Sequence, residues 1–453
     1  MQTFDLIVIG AGSGLNVSSA AAEKGLKVAV VEKGPMGGTC LNRGCIPSKI
    51  IIHSADVAET IKKSENFGIS SRISSIDFKK ITSRASNIVD KDAKEIEERI
   101  KEDKNTTLFR VEAKFIAERT LQVGKEVIKG DKIVIAAGTR PSIPNIEGLK
   151  DVDFITSDEA LRLRKQPKAM TILGGGYIAA ELAHFYGSLG TKINIIQRGN
   201  LLIPNEDEEI SKKFTEIYKK KYNVLTGFQA TKVMKKGKKF VVIAKNSKSR
   251  KKLVSDQLLV ATGRTPNTDI LDVKKGNVEI NEKGFIKTNE YLETTAKNTW
   301  ALGDIVGKFL FKHSANLESQ YVYNNAVLGK RIPVDYSAMP HAIFSSPQIA
   351  GVGLREQDLK SRKMNYAVGK YNYINSGMGL ALQDKEGFVK IFADKKTRKI
   401  VGCHILGTDA STLIHEVVVA MKNNLGVDAL ASSVHVHPAL SEVVQRAVNG
   451  IKW

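Results

Sequence analysis

The sequence predicts an α/β fold: two Rossmann-like dinucleotide-binding domains followed by a C-terminal α+β domain. Three observations predict it. A strand, glycine turn, helix and second strand occur twice, with first glycines Gly10 and Gly174 lying 164 residues apart. Each copy is followed by an apolar strand running into a Gly-Pro-rich crossover, AAGTRPSIPNIEG and ATGRTPNT. From about residue 336 the texture changes to short β-rich runs closed by two amphipathic helices. At 453 residues the chain exceeds one core, and it divides at 1–147, 148–270, 271–335 and 336–453.

The first copy, DLIVIGAGSGLNVSSAAAEKGLKVAVVEK, places Gly10, Gly12 and Gly14 in the turn. Such glycines let the backbone approach a pyrophosphate, whose charge is met by the helix N-terminus. The third glycine position of the G-x-G-x-x-G pattern holds Leu15, so helix and strand are expected to pack slightly wider there. Seven residues after Gly25 stands Glu32, followed by Lys33; a carboxylate at that strand end accepts hydrogen bonds from a ribose diol, and FAD is the expected occupant. Next comes GGTCLNRGCIPSK, with Gly38, Thr39, Cys40, Cys45 and Lys49, then helical stretches near 47–65 and 77–103. Gly138 sits in the first crossover.

The second copy, AMTILGGGYIAAELAHFYGSLGTKINIIQR, offers Gly174, Gly176, Tyr177, Ile178 and Glu181. Seven residues after Gly190 stand Gln197 and Arg198, a cation instead of an acid. That difference favours a 2′-phosphate, hence NADPH, with NADH as the alternative. Gly263 lies in the second crossover, and NTWALGDI ends a strand on Gly303 and Asp304.

Composition is that of a globular chain, 42% hydrophobic and 26% charged, and no apolar stretch approaches the ~18 residues that would span a bilayer. The opening MQTFDLIVIG runs straight into a strand without a basic-apolar leader, so the cytoplasm is the expected location. Lysine-rich clusters at 219–221, 235–239 and 245–252 account for part of the net charge of +21. Nucleic-acid binding is one interpretation. Solvated hairpin tips and helix faces account for the charge better, and the field favours encounter with anionic partners.

Only three cysteines are present, and two of them, Cys40 and Cys45, are separated by four residues. A structural disulfide or half a metal site is the competing interpretation, but no second thiol pair exists to complete a metal site. The pair falls where a loop becomes a helix, and a helix N-terminus favours the thiolate. Cys403 has no such context and suits a buried apolar position. Among eight histidines, His437 is followed by Pro438, which fits a first helical turn, and by Glu442 five residues on. Glu442 would orient and stabilise the charged imidazole. His435 competes, because strand alternation puts it on the same face. Taken alone, a His-Glu pair near a terminus is more often structural.

These motifs, GAGSG, GGTCLNRGCIPSK, AAGTRP, GGGYIAAE, ATGRTPN, ALGD and HVHPALSE, resemble the class I pyridine nucleotide–disulfide oxidoreductases along the whole chain. The resemblance implies an FAD domain, an NAD(P) domain, a central segment and a C-terminal dimerisation domain, in that order. It implies that Cys40 exchanges with the substrate disulfide and Cys45 faces the flavin. It selects His437 over His435 as the acid–base group, acting on the disulfide of the other subunit of a homodimer. It pairs Lys49 with Glu181 beside the flavin and assigns Asp304 to FAD.

Dihydrolipoamide dehydrogenase is the favoured activity, with lipoamide free or on an acidic carrier domain. Gln197-Arg198, GAGSGLN, HILGTDASTLI and HPALSEVVQRAV pull towards NADPH-dependent reductases of small-thiol disulfides, of the mycothione or glutathione type. Mercuric reductase is disfavoured because the chain ends at Ile451-Lys452-Trp453 without a cysteine pair. A basic flavoprotein acting mainly by binding is the non-enzymatic alternative.

Overall fold

The computed structural model describes residues 1–453. Its first sheet has seven strands, with Gln2–Ile9 near the centre. That strand pairs in parallel with Val28–Val31 on one side and Glu126–Ile135 on the other. Leu6, Ile7, Val8 and Ile9 are all buried, as expected of a parallel strand covered on both faces. The helix Gly14–Glu23 follows the glycine turn. A Cβ on Gly14 would lie 2.8 Å from Val8 Cγ1 and 2.9 Å from Ala136 Cβ. The close approach is therefore made one residue early, by Gly14, and Leu15 does not widen it; this corrects the expectation drawn from the G-x-G-x-x-G pattern.

The second parallel sheet has four strands, in the order Asn223–Thr226, Lys192–Gln197, Ala169–Leu173, Gln257–Val260. The helix Tyr177–Ser188 buries Ala179, Ala180, Leu182, Ala183, Phe185 and Tyr186. Gly174 has φ 110° and touches the next strand so closely that a Cβ would lie 2.2 Å from the Ala261 carbonyl oxygen. A three-stranded antiparallel sheet, Gln229–Lys236, Lys239–Lys245 and Arg250–Ser255, carries two of the lysine clusters. The third cluster ends the helix Glu208–Lys221, whose first turn holds Glu208 and Glu209. Both sets of charges complement the helix macrodipole.

The two crossovers meet. Thr139–Pro141 and Arg264–Pro266 pair antiparallel, with Thr265 opposite Arg140. The short strand Thr299–Ala301 then joins the first sheet in parallel beside Glu126–Ile135. It delivers Gly303 and Asp304 to the carboxyl ends of the strands, where open α/β sheets bind ligands.

The last part of the chain forms a five-stranded antiparallel sheet covered by Ala410–Lys422 and Glu442–Asn449. Cys403 is fully buried in that core with Ile391, Ile405, Val417 and Val444. A short helix, Val427–Ser432, lies between the two covering helices, so three helices close the chain where two were expected. No helix is long and apolar enough to cross a membrane.

Candidate active site

The segment that carries both thiols is shaped by glycines. Gly38 touches the first dinucleotide turn: a Cβ there would lie 2.8 Å from Gly12 Cα. Gly44 separates a six-residue helix, Gly38–Arg43, from the long helix Cys45–Lys63. Cys45 is thus the first residue of a 19-residue helix, whereas Cys40 lies inside the short one. The loop-to-helix boundary inferred for the pair is that of Cys45 alone.

Both residues are free thiols that share a hydrogen bond. That bond from Cys40, with the charge of Lys49 in support, lowers the Cys45 thiol to about 7 against the opposing effect of burial. The helix N-terminus acts in the same direction. Cys40 is pushed up by the same hydrogen bond and by burial, with Lys312 opposing.

Lys49 stands one helical turn after Cys45, on the same face. Its Nζ donates to both carboxylate oxygens of Glu181 at 2.9 Å. Phe344 N–H also donates to Glu181 Oε1 at 2.9 Å, and the Phe344 ring lies 4.5 Å below the ammonium. The pair joins the helix bearing Cys45 to the helix opening the second dinucleotide unit.

A cavity of about 500 Å³ runs from the first glycine turn to this pair. Gly10, Gly12, Glu32, Lys33, Gly38, Thr39, Lys49, Gly138, Gly303 and Asp304 line it, together with Cys40 and Cys45. Gly14, expected among them, instead packs helix on strand. The donor and acceptor set fits FAD. Glu32 is fixed at the strand end by the N–H groups of Ala11 at 2.9 Å and Gly34 at 2.7 Å, and the glycine turn opens a helix N-terminus. Lys33 is drawn into an ion pair with Glu112 at 2.7 Å.

Asp304 accepts a hydrogen bond from Thr139 Oγ1 at 3.0 Å, and Thr139 Oγ1 accepts one from Arg264 Nε at 2.6 Å. Burial raises the Asp304 carboxyl, with Arg264 opposing. Thr139 and Arg264 were overlooked in the sequence although both stand inside quoted motifs. Glu318 was also overlooked, and nothing in the sequence marked it. It is buried, accepts the Gly303 N–H and the Tyr336 hydroxyl (2.8 Å for the latter), and burial raises it to about 7.

Ile178 and Glu181 reach the same cavity from the second unit. Gly174, Gly176, Gln197, Arg198 and Gly263 do not line it. Tyr177 stacks on Phe311 and His341, with ring centroids 6.1 and 6.4 Å away, and its hydroxyl donates to the buried Glu206 at 2.5 Å. Gln197 turns its amide back to the Leu201 carbonyl at 3.2 Å, while Arg198 stays exposed.

His437 and Glu442 form a hydrogen-bonded pair, Nδ1 to Oε1 at 3.0 Å, and Ala439 N–H donates to the other carboxylate oxygen at 3.1 Å. The bond from His437, then that from Ala439, holds Glu442 below the usual carboxylate range. Pro438 is not in a helical turn: it follows a cis bond and precedes the helix, which starts at Glu442. Nor does His435 share a face with His437, since residues 434–437 form no strand. The His435 side chain is 8% exposed against Glu416, whereas that of His437 is 74% exposed. Within one chain neither His437 nor Glu442 lines a cavity beside Cys40.

A second cavity of about 560 Å³ adjoins the first. Leu15, Ile46, Ile96 and Ile100 give it an apolar wall, and Arg99, Asp103 and Lys312 supply charge. Cys40 lines both cavities; Cys45 lines only the first.

Comparison with known proteins agrees with this geometry. Residues 4–326 match the family described as pyridine nucleotide-disulphide oxidoreductase, and residues 339–448 match its dimerisation domain. The chain is 33% identical to a mycothione reductase of Mycobacterium tuberculosis over 100% of both chains. It is 32% identical to a dihydrolipoyl dehydrogenase of Bacillus subtilis, over 98% of this chain and 95% of that one. Among solved structures it is similar to the HOCl-induced flavoprotein disulfide reductase RclA from Escherichia coli, at 25% identity, 99% coverage of both chains and a TM-score of 0.87. The chain belongs to the pyridine nucleotide-disulphide oxidoreductases, FAD-dependent enzymes that use NAD(P)H.

Proposed function

We propose that the protein exchanges electron pairs between a nicotinamide dinucleotide and a disulfide substrate, with Cys40 as the exchanging thiol and Cys45 as the thiol turned to the cofactor. One observation carries the division of roles: Cys40 is open to both cavities and Cys45 only to the one that suits FAD. Bound FAD, held by the glycine turn, Glu32 and Asp304, supplies the two-electron link between dinucleotide and thiols. Residues 1–147 and 271–335 form its domain, 148–270 the NAD(P) domain and 336–453 the dimerisation domain.

The thiols act by exchange. The Cys40 thiolate attacks the substrate disulfide, forming a mixed disulfide, and the departing sulfur takes the electron pair. The Cys45 thiolate then attacks Cys40 and expels the second substrate thiolate. The substrate gains two electrons and the Cys40–Cys45 pair becomes a disulfide; run backwards, a dithiol is oxidised. His437, supplied by a second copy of the chain and oriented by Glu442, protonates the leaving thiolate. A positioned acid–base group of this kind contributes ~10²–10⁴ in rate. Lys49, fixed by Glu181, keeps positive charge beside Cys45 and the cofactor cavity. Few cysteines and a pair reserved for exchange fit a reducing compartment, the cytoplasm.

The favoured substrate pair is lipoamide and dihydrolipoamide, supported by the GGTCLNRGCIPSK and HPxLSE segments and by the net charge of +21, which suits an acidic carrier. A small-thiol disulfide with NADPH is the second reading. It is favoured by Arg198 at the ribose strand end and by Arg99 and Lys312 in the cavity beside Cys40. Steady-state kinetics crossing NADH and NADPH with lipoamide, glutathione disulfide and mycothiol disulfide decides between them. Turnover of lipoamide with NADH above all other pairs supports the first; NADPH with a small-thiol disulfide supports the second. Absence of turnover with every disulfide overturns both.

A further inference from the structure

Besides the backbone at Gly12 and Gly37, the two cavities share only Cys40 and one other residue, Lys312. Lys312 is placed against several physical preferences. It is the first residue of the helix Lys312–Val322, where the macrodipole disfavours a cation. It is partly buried, and burial pulls its ammonium down, opposed by the charges of Cys40 and then Cys45. It makes no ion pair with a carboxylate; instead its Nζ donates to Ser13 Oγ at 2.9 Å, and Ser13 Oγ donates in turn to Asn316 Oδ1 at 2.9 Å. Ser13 and Asn316 thus aim the ammonium without neutralising it. A residue that breaks local rules with no structural compensation marks a functional position.

We propose that Lys312 is the counter-ion of the Cys40 thiolate, a positioning residue that holds negative charge on the exchanging sulfur at the junction of the two cavities. In the dithiol-oxidising direction, when the second thiolate of the substrate closes the substrate disulfide and expels Cys40 from the mixed disulfide, the S–S electron pair goes to a sulfur that shares both cavities with an ammonium. His437 then serves the substrate sulfur and Lys312 the enzyme sulfur. This assignment rests on Cys40 being the exchanging thiol. None of the sequence motifs singled out Lys312, because a lysine in FLFKHSANLES reads as a solvated helix charge.

The test is site-resolved alkylation of the dithiothreitol-reduced holoenzyme by iodoacetamide across pH, with Cys40 and Cys45 separated by peptide mass spectrometry. An opposite charge beside an ionisable group shifts its pKa by ~1–3 units. In Lys312→Met the Cys40 profile should therefore move up by about one unit, a ~10-fold slower reaction near neutrality. Lys312→Arg should restore it. Ser13→Ala, which leaves the charge but removes its anchor, should give a smaller shift in the same direction, and it reads the same quantity should Lys312→Met fail to fold. An unchanged Cys40 profile in these variants overturns the role of Lys312 while leaving that of Cys40 intact. Label falling on Cys45 instead of Cys40 in the unaltered enzyme overturns the assignment of the thiols themselves.

Discussion

Replacing Cys40 by alanine should raise the Cys45 thiol. The largest influence holding Cys45 at about 7 is the hydrogen bond it receives from Cys40, followed among the favourable ones by Lys49. A hydrogen bond to a charged acceptor contributes ~1.5–3 kcal/mol, and 1.36 kcal/mol corresponds to one pKa unit. A thiol is a weak donor, so the lower end applies, and Cys40→Ala should move Cys45 up by about one unit. Cys40→Ser retains an O–H donor and should keep Cys45 near its original value. The assay is a pH titration of the visible absorbance that a thiolate gives beside bound FAD, in the unaltered reduced enzyme and both variants. An unmoved midpoint in Cys40→Ala refutes the reasoning, because Lys49 and the helix N-terminus would then suffice. Equal upward shifts in both variants refute it as well, since the hydroxyl would have failed to replace the thiol donor.

Further outcomes follow from other parts of the site. His437→Gln should cut disulfide turnover by ~10²–10⁴. The fold of the single chain should be retained, read by an unchanged far-ultraviolet circular dichroism spectrum, because within one chain the imidazole is 74% exposed. Lys49→Met leaves Glu181, a side chain only 13% exposed, with the Phe344 N–H as its one remaining partner. Because Lys49 is itself one-third exposed, the loss should be ~1–2 kcal/mol, read by denaturant unfolding, with slower reduction of the enzyme by NAD(P)H. Glu318 should make stability pH-dependent. Its folded value, about 7, lies above the usual 4.5, so its contribution is present below pH 4.5 and is lost as pH rises through about 7. Glu318→Gln mimics the neutral form, so the difference in melting temperature between variant and unaltered enzyme should move in the variant's favour between about pH 3.5 and about pH 8, ~one unit either side of that interval. A constant difference would show that Glu318 does not titrate there.

Much of the fold was legible because local pattern and tertiary role coincide. The two βαβ units announce themselves through apolar strands, glycine turns and alanine-rich helices, and parallel strands buried on both faces leave little ambiguity. The cysteine segment was legible from spacing, whereas Lys49 and its pairing with Glu181 came from the family resemblance, since taken alone each is an ordinary helix charge. What the sequence concealed depends on chain segments far apart in number. Gly14 does the work of a third glycine because Ala136, more than a hundred residues later, presses on it. His435 and His437 look equivalent until Glu416, from another helix, captures the first and leaves the second exposed. Thr139 and Arg264 meet only because the two crossovers pair with each other. Glu318 and Lys312 lie on an ordinary-looking helix whose start happens to abut the cofactor cavity. Placement of Pro438 failed for a local reason: proline fits a helical first turn but fits a turn before the helix equally well.

The central claim is that Cys40 and Cys45 interchange one disulfide bond for two electrons drawn from NAD(P)H. Thiol counting after denaturation tests it without any choice of substrate. The chain has three cysteines, one of them, Cys403, sealed in the core. Air-oxidised holoenzyme should show that single thiol per chain, and anaerobic addition of NADH or NADPH should raise the count to all three. A count that does not change on addition of either dinucleotide contradicts the account.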